Sequence, residues 1–468
     1  MTENIFFFDA TELAERIRSG ALTSVEVVQA HLDRIKAVDT KINAIVTIND
    51  KALDEARAAD EAIAAGKDVG PLHGVPFTVK DSIDTDGILT QRGSPIFRGR
   101  TPDEDAVAVA RMKDAGGIVL AKTNLPEFSY STESNNLLSG RTNNPYNLDR
   151  TSGGSSGGES AAVAAGLSPI GLGTDLAISV RGPAAHTGIA AIKATHGRLP
   201  MTGVWPRVPR RDWHIGPMAR TVRDLELGYN IMRGPDGKDG FAVTPNEVDT
   251  GKRDAAPEQL RVAWFTDSGL GPVDPEVADT VRSAADALKA AGVHVEEIDI
   301  PTLHQDNPLA LFNKQHVMEL KPAMAEATAG HEDQRFTMSK TMLGTPDTSI
   351  EDYVAAEQGF ERIRDAYAEV FTKFDAVLLP VLPIPAHEHD KTEFVIEGQT
   401  VDATHIQTFT VQFNITGMPA LSMRFGTSSD GLPIGVQIAG PWHAESTIFN
   451  LASLLESVSP VRSIHPDL

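Results

Sequence analysis

The sequence predicts an α/β fold, because segments with the character of β-strands alternate along the chain with segments of helical periodicity. The apolar runs 74–80 and 117–121 are short, as strands are, and a helical segment lies between them. A second group, within 261–300, has the order strand, helix, strand. Alternation of this kind is typical of a sheet covered by helices.

The N-terminal part of the chain has helical character. Thr23 stands three residues before Glu26, which is the spacing of a capping box, and apolar residues then recur at helical intervals up to Val38. The β-branched run Ile45–Ile48 follows and predicts a strand. The alanine-rich stretch 53–65 predicts another helix.

The next elements surround a polar, glycine-rich region. The strand expected at 74–80 ends on Lys80, and a helix at 106–115 precedes the strand at 117–121. Residues 134–158 are dense in Asn, Ser, Gly, Thr and Pro. This composition fits either a linker or several short turns packed beside an active site.

The second half of the chain is less regular. Residues 236–256 are polar and predict a surface loop. Strands are expected at 262–265 and 293–295, with a helix at 277–291 between them. Residues 302–395 have the weakest pattern and predict several helices.

The composition excludes several classes of function. The chain has 468 residues and no cysteine, so it forms no disulfide and has no thiol nucleophile or thiolate metal ligand. Its 42 Lys and Arg against 64 Asp and Glu give a net charge of −22, which argues against nucleic acid or an anionic membrane as a partner. No signal peptide or membrane-spanning run is recognisable, so a cytoplasmic location is expected.

Three features together indicate chemistry, although each is weak alone. They are Lys80 at a strand end, the Gly-Gly-Ser-Ser-Gly-Gly run at 153–158, and the segment 173–183, Gly-Thr-Asp-Leu-Ala-Ile-Ser-Val-Arg-Gly-Pro. A lysine at a strand end is usually a solvated charge, and a Gly-Ser run is usually a flexible loop. The run lacks the Gly-Lys-Ser/Thr ending of a phosphate-binding loop and the spacing of a dinucleotide-binding loop.

Together these segments resemble the amidase signature family. The spacings fit that family, with 155 − 80 = 75 residues between Lys80 and Ser155, and 179 − 155 = 24 residues between Ser155 and Ser179. The resemblance runs from about residue 11 to 456 and is weak between about 230 and 395. It is also carried by flanking segments at 122–128, 216–222, 414–420 and 431–437.

The resemblance implies a catalytic triad of Lys80, Ser155 and Ser179. In such a triad Lys80 is the base, Ser155 relays the proton and Ser179 attacks the carbonyl. A serine hydroxyl is a poor nucleophile without a base, and a lysine can serve as that base when burial keeps it neutral. The resemblance also implies a cis peptide bond between Gly154 and Ser155.

The resemblance further assigns supporting roles around the nucleophile. Backbone N–H groups would stabilise the oxyanion; they belong to Leu176, Ala177, Ile178 and Ser179. Structural support is expected from Gly154, Ser156, Asp175 and Arg181. Asp175 and Arg181 would be buried beside the site, where their hydrogen bonds could hold the loop.

The chain departs from the family pattern where two glycines usually precede the nucleophile. Ala177 and Ile178 occupy these positions, and a β-branched residue does not adopt positive φ easily, so a different loop shape is expected. This replacement and the Trp/Arg-rich run at 205–214 resemble aryl acylamidases and urethanases. We therefore expect Ile178 and Trp205 to line an apolar substrate pocket; for Trp205 and Trp213, ordinary core packing is the equal alternative.

These features imply an amide hydrolase acting on aryl or bulky amides, with carbamates as a second substrate class. The alternative is the glutamine-hydrolysing subunit of a tRNA-dependent amidotransferase. A catalytically inactive binding protein is the third interpretation, and retention of the whole triad argues against it. The cluster at 387–390, His-Glu-His-Asp, offers alternate ligands without a third and does not predict a metal site.

The resemblance implies a single domain, 1–468, with a large mixed, twisted sheet covered by helices on both faces. Within it we expect an N-terminal helical segment at 1–66, a core with the catalytic signature at 67–230, and a mostly helical segment at 302–395 that covers the substrate entrance. No cofactor or metal is implied. The expected partner is a small-molecule amide or carbamate, with no nucleic acid and no membrane, and the expected state is a monomer or homodimer.

Overall fold

The computed structural model describes residues 4–206, 208 and 211–468. Arg207, Pro209 and Arg210, which belong to the Trp/Arg-rich run, lie outside the described residues. The helices, numbered α1 to α14 in chain order, are Ala10–Arg18, Ser24–Ile42, Ala52–Ala64, Val107–Asp114, Gly157–Ala164, Arg181–Thr187, Val222–Met232, Pro275–Ala290, Pro301–Gln305, Pro308–Ala327, Thr337–Gly344, Ile350–Phe371, Thr408–Ile415 and Glu445–Val458.

The strands are short, and most of them belong to one sheet. Numbered β1 to β17 in chain order, they are Ile45–Ile48, Pro76–Lys80, Ile118–Thr123, Asn135–Asn136, Gly140–Arg141, Asn143–Asn144, Asn147–Thr151, Ile170–Asp175, Ala190–Lys193, His214–Ala219, Arg261–Trp264, His294–Glu297, Ala376–Pro380, Glu393–Ile396, Gln399–Asp402, Ala420–Thr427 and Pro433–Ala439.

The main sheet has 11 strands in the order β1-β3-β2-β8-β10-β9-β16-β17-β13-β11-β12. Its strands β3, β2 and β8 are parallel, as are β13, β11 and β12, whereas the central strands pair antiparallel. The sheet is therefore mixed, which confirms the predicted α/β architecture.

Helices cover both faces of this sheet. Side chains alternate between the two faces of a strand, and in β3 Val119 packs in a cluster with residues of α4, α7 and α14. Its neighbours Ile118 and Leu120 pack instead with residues of α2, α3 and α5. The strand is buried on both sides, which explains its nearly continuous apolar sequence.

Most of the predicted elements are present within one to three residues. The strand at Ile45–Ile48 is confirmed, and the capping box of α2 is formed by Thr23 and Glu26. Residues 134–158 are not a linker: they form two small hairpins, β4–β5 and β6–β7, followed by a largely buried loop that leads into α5. Of the two interpretations left open for this region, the structure therefore shows short turns packed on the core.

The segment 302–395 contains α10, α11 and α12, followed by β13 and the start of a small hairpin, β14–β15. In the described part of the chain, none of the helices combines the length and the apolar character needed to cross a bilayer.

Candidate active site

Two parallel strands bring Lys80 next to the segment that leads to Ser179. β2 and β8 run side by side, with Thr78 opposite Gly171 and Val79 opposite Leu172. Both strands end at the same edge of the sheet, because parallel neighbours share their direction. Lys80 is the last residue of β2, and β8 ends at Asp175, immediately before the loop that carries Ser179.

Lys80 is buried completely and lies within hydrogen-bond distance of two hydroxyl groups. Its Nζ atom is 2.6 Å from Ser155 Oγ and 2.8 Å from Thr174 Oγ1. Burial lowers the pKa of the Lys80 ammonium well below its usual value, although the negative charges of Asp175 and Glu159 oppose this shift. The environment therefore favours a neutral amine in contact with the Ser155 hydroxyl.

The loop 153–158 is fixed by close packing against the chain segment 131–134. The peptide bond between Gly154 and Ser155 is cis, as the resemblance implied. A Cβ atom on Gly154 would lie 2.6 Å from the backbone nitrogen of Glu133 and from the carbonyl oxygen of Ser131. Only glycine therefore allows this approach of two backbones. The hydroxyl of Ser134 accepts from Gly157 N–H at 3.0 Å and donates to the Gly153 carbonyl at 3.2 Å.

Ser156 joins the Gly-Ser loop to the segment that carries Ser179. Its backbone N–H donates to the carbonyl of Ser179 at 3.2 Å, and its hydroxyl exchanges hydrogen bonds with the backbone of Thr174, both at 3.3 Å. These contacts hold the two catalytic loops against each other. Ser155 is buried completely, whereas Ser179 is 7% exposed and lines a cavity.

The four residues expected to form the oxyanion hole lie in a bend between β8 and α6. Within the described part of the chain, the backbone N–H groups of Leu176, Ala177, Ile178 and Ser179 donate to no acceptor. Buried N–H groups are normally paired, so this loop offers free donors beside the cavity. Ala177 and Ile178 are not among the residues with positive φ, so the loop accommodates the replacement of the usual glycines.

Asp175 and Arg181 form a fully buried ion pair behind this loop. Two guanidinium nitrogens donate to the two carboxylate oxygens at 3.1 and 2.9 Å, and Asn414 and the Val180 N–H also donate to Asp175. Burial alone would raise the pKa of the Asp175 carboxyl, but Arg181 and these donors hold it below its usual value. Arg181 also donates to the carbonyl of Thr410, so the pair ties the loop to α13.

Glu159 is a second buried acid near Lys80, and the sequence motifs did not indicate it. Its carboxylate accepts hydrogen bonds from the hydroxyls of Thr78 in β2 and Thr123 in β3. Burial raises its pKa to about 7, although those two hydrogen bonds and the charges of Lys122 and Lys80 oppose the shift. Because Thr78 and Lys80 are two residues apart on one strand, their side chains leave the same face of the sheet.

The cavity at Ser179 has a volume of about 550 Å³. Residues 176–179 form part of its lining. One wall, from α10, α11 and the segment before α11, is apolar and aromatic, and includes Phe312, Phe336 and Met338. A second wall, from 131–135 and 390–407, is polar.

The two residues expected to line the substrate pocket have different positions. Ile178 lines the cavity, but most of its side chain is buried in a cluster with Leu382 and Phe394. Trp205 is not among the described residues that line the cavity, which corrects that expectation. It packs against Phe97 and Phe128, with ring centroids 5.5 and 5.1 Å away. The structure therefore shows the core-packing alternative for Trp205, and Trp213 is buried in the same core.

The cluster at 387–390 packs beside Glu133 and not around a cation site. Within the described residues, no group of three or more His, Cys, Asp or Glu side chains is arranged to hold a metal ion. His387 Nδ1 donates to the carbonyl of Glu388 at 2.8 Å, and the Asp390 N–H donates to Glu133 at 3.0 Å.

Sequence reasoning missed three residues of the candidate site: Thr174, Ser134 and Glu159. Thr174 lies within the motif segment 173–183. Its position next to Asp175 could have suggested a contact with Lys80. Ser134 and Glu159 carry no local signal, because their roles depend on which segments the fold brings together.

Comparison with known proteins agrees with this geometry. Residues 26–449, most of the chain, match the family model described as Amidase. This chain belongs to the amidase signature family.

Relatives in this family differ in what they act on. The chain is 32% identical to a glutamyl-tRNA(Gln) amidotransferase subunit of Bdellovibrio bacteriovorus, over 99% of both chains. It is 34% identical to the indoleacetamide hydrolase of Bradyrhizobium diazoefficiens, over 97% of this chain and 87% of that one. Among solved structures, a bacterial aryl acylamidase superposes with a TM-score of 0.87 at 27% identity, over 97% of this chain and 96% of that one. The chain is thus a C–N hydrolase of the amidase signature type.

Proposed function

We propose that this amidase signature enzyme hydrolyses amides through an acyl-enzyme formed on Ser179. The observation that carries the proposal is the 2.6 Å separation of Lys80 Nζ and Ser155 Oγ in a fully buried environment. A neutral lysine in contact with a serine hydroxyl is an effective base for a serine nucleophile. Ser179, which faces the cavity, is the residue able to meet a substrate.

In the proposed first step, Ser179 Oγ forms a bond to the carbonyl carbon of the substrate. The Ser179 proton passes to Ser155, whose own proton passes to the Lys80 amine. As the carbon–nitrogen bond breaks, the protons return in reverse order and the last one reaches the leaving nitrogen. Water then attacks the ester on Ser179 and uses the same relay, which releases the acid and restores the serine.

The free N–H groups of the loop 176–179 support a role as oxyanion hole. During attack the carbonyl oxygen gains negative charge, and donors already oriented at that place stabilise it without reorganisation. The ion pair of Asp175 and Arg181, together with Asn414, would hold this loop in position. Gly154 and Ser156 would fix the relay serine relative to the nucleophile.

The cavity supports aryl or bulky amides as substrates, with carbamates as a second class. Its volume of about 550 Å³ is within the range of small-molecule sites, and its apolar wall offers aromatic contacts. The similarity to an aryl acylamidase points to the same substrate class. Helices α10 and α11 supply part of the lining, which supports a role of the segment 302–395 in covering the entrance.

The second candidate is a glutamine-hydrolysing amidotransferase subunit, which the similarity to such subunits favours. Free glutamine carries a carboxylate that needs a cationic partner in the site. Among the described residues that line the cavity, Lys391 is the one Lys or Arg, and its Nζ already lies 2.7 Å from Glu388. With the net charge of −22, this favours a small-molecule substrate without nucleic acid.

The test is hydrolysis of 4-nitroacetanilide and of an aryl carbamate by the purified chain, without ATP or partner proteins. Ser179→Ala and Lys80→Ala are expected to abolish activity, and Ser283→Ala, an exposed serine on α8, serves as the control. If the folded wild type is inactive on both compounds and releases ammonia from glutamine only with added partner subunits, the second candidate replaces the first. Ile178→Gly tests the pocket, since an unchanged ranking of substrates would exclude Ile178 from specificity.

A further inference from the structure

The polar wall of the cavity is strongly acidic. Four carboxylates line the cavity, Glu127, Glu133, Asp390 and Asp402. Three of them have partners that account for their positions. Asp390 pairs with Arg141, Asp402 caps the turn at Thr404, and Glu127 accepts from the Phe336 N–H at 3.1 Å.

Glu133 is the fourth of these carboxylates, and it also has polar partners. Its side chain is 14% exposed, and its oxygens lie 3.0 Å from the Asp390 N–H and 3.4 Å from His389 Nδ1. No lysine or arginine within the described ranges makes an ion pair with it. Burial lowers the pKa of the nearby His387, although its hydrogen bond to Glu388 and the negative charge of Glu133 oppose this shift.

A buried hydroxyl in the same cavity is also without a partner. Ser129 lines the cavity and is only 4% exposed, and its hydroxyl makes no hydrogen bond within the described part of the chain. A buried polar group normally has a partner. Ser129 therefore leaves one hydrogen-bonding group unused on this side of the cavity.

We propose that the cavity takes amides or carbamates that carry a protonated amine, and that Glu133 is the residue that selects for this cation. The inference rests on the proposed function of the same site. An ammonium group beside Glu133 gains a charge-assisted hydrogen bond in a poorly solvated place, where such contacts are strong. The aromatic wall from α10, α11 and the segment before α11 receives the apolar part of the same substrate. Anionic substrates meet the acidic wall and are disfavoured.

The experiment compares substrates that differ in one charge. On the acyl side, 6-aminohexanoyl-4-nitroanilide is compared with heptanoyl-4-nitroanilide, its neutral isostere, and with the anionic adipoyl mono-4-nitroanilide. On the leaving side, 4-(aminomethyl)acetanilide is compared with 4-ethylacetanilide. We expect kcat/KM for the cation to exceed that of its neutral isostere by about tenfold in at least one pair, equivalent to about 1.4 kcal/mol.

The variant Glu133→Gln should remove most of that preference, because it keeps the shape and the acceptor for the Asp390 N–H but loses the charge. Glu133→Lys should invert it in favour of the adipoyl anilide. The control Asp279→Asn changes the net charge equally on exposed α8 and should leave the preference intact.

A cation-to-neutral ratio near one in both pairs, or a ratio that Glu133→Gln leaves unchanged, overturns the inference. Hydrolysis of heptanoyl-4-nitroanilide decides the proposed function separately. If this neutral anilide is cleaved without a preference for the cation, the amidase proposal stands and the role of Glu133 is wrong.

Discussion

Lys80 Nζ and Ser155 Oγ lie 2.6 Å apart, and both residues are fully buried. A lysine in such a place costs stability, because the unfolded chain keeps its ammonium solvated. The same burial favours the neutral amine, which can accept a proton. Burial of Lys80 therefore lowers the stability of the fold while it favours the proposed reaction.

The first prediction is that Lys80→Met is inactive but more stable than the wild type at pH 7. The pKa of Lys80 is lower in the folded chain than in the unfolded chain, so the unfolded chain binds more protons and wild-type stability rises with pH. This rise ends near the unfolded pKa of about 10.4. The stability advantage of Lys80→Met should therefore shrink between pH 7 and 10, as measured by urea unfolding. An advantage that does not change with pH would contradict the assignment of a depressed pKa.

The second prediction concerns Glu159, which acts on Lys80 through charge. Burial raises the pKa of Glu159 to about 7, so above that pH its negative charge favours the protonated form of Lys80. In Glu159→Gln this charge is absent, and kcat/KM should reach its plateau about 1 pH unit lower than in the wild type. The pH profile for 4-nitroacetanilide measures the shift. Glu61→Gln, on the exposed face of α3, should leave the profile unchanged; identical profiles for Glu159→Gln and wild type would exclude the coupling.

The sequence was sufficient to predict the residues that the site brings together, because the catalytic segments carry dense local motifs. Lys80 and Ser155 were predicted to meet, and they do. The sequence did not indicate the contacts of Glu159 or Glu133, since a buried acid and a surface acid look alike without tertiary structure. Trp205 was misplaced for a similar reason: an aromatic side chain packs equally well in a core or along a pocket, and the local sequence does not decide between them.

Individual strands and helices could be predicted where the hydrophobic periodicity of the sequence is strong. The pairing of strands that are distant along the chain could not be predicted. Strands such as Ile45–Ile48 follow from β-branched composition. In the main sheet β13 lies between β17 and β11, and its pairing with β11 joins residues more than 100 positions apart along the chain. No local pattern encodes that order.

The third prediction is that Arg181→Lys lowers the free energy of unfolding by about 1–3 kcal/mol, the cost of leaving buried acceptors without a donor. Lysine keeps the charge but cannot make the paired hydrogen bonds to Asp175 or reach the carbonyl of Thr410 at the same time. The pKa of Asp175 is depressed in the folded chain, so the pair stabilises above about pH 3.9 and this contribution is lost as the pH falls through the folded value. Urea unfolding at pH 7 measures the loss. Arg57→Lys, in an exposed pair on α3, should cause no measurable change.

The fourth prediction is that Gly154→Ala lowers kcat by at least about 100-fold, because a small displacement at a reacting group has a large effect on rate. The added methyl group would lie 2.6 Å from the backbone at Ser131 and Glu133, so the Gly-Ser loop must move and take the Ser155 hydroxyl with it. Gly240→Ala is the matched control, since nothing lies within 4 Å of its added methyl group. Full activity of Gly154→Ala would show that the loop position does not limit the reaction.

The fifth prediction concerns Arg211, which joins the segment before β10 to α10, a helix that lines the cavity, and to its neighbour α12. Its guanidinium donates to Glu357 at 2.8 Å and to the Tyr353 hydroxyl at 2.6 Å, both in α12, and it also pairs with Glu319 in α10. In Arg211→Ala these helices lose their charged attachment to the core, so backbone amides of α10 and α12 should exchange with deuterium faster. KM for 4-nitroacetanilide should rise several-fold while kcat changes little, because the groups that react are untouched.

The control for this prediction is Lys314→Ala. Lys314 also connects α10 with α12, through Asp352 at 2.8 Å, but this pair is exposed and does not reach the core. Exposed pairs contribute little to stability. If the backbone amides of α10 and α12 exchange at the same rate in both variants, these helices are held by their apolar packing and not by Arg211. If only Arg211→Ala exchanges faster and KM rises with it, the position of these helices controls how substrate is held at Ser179.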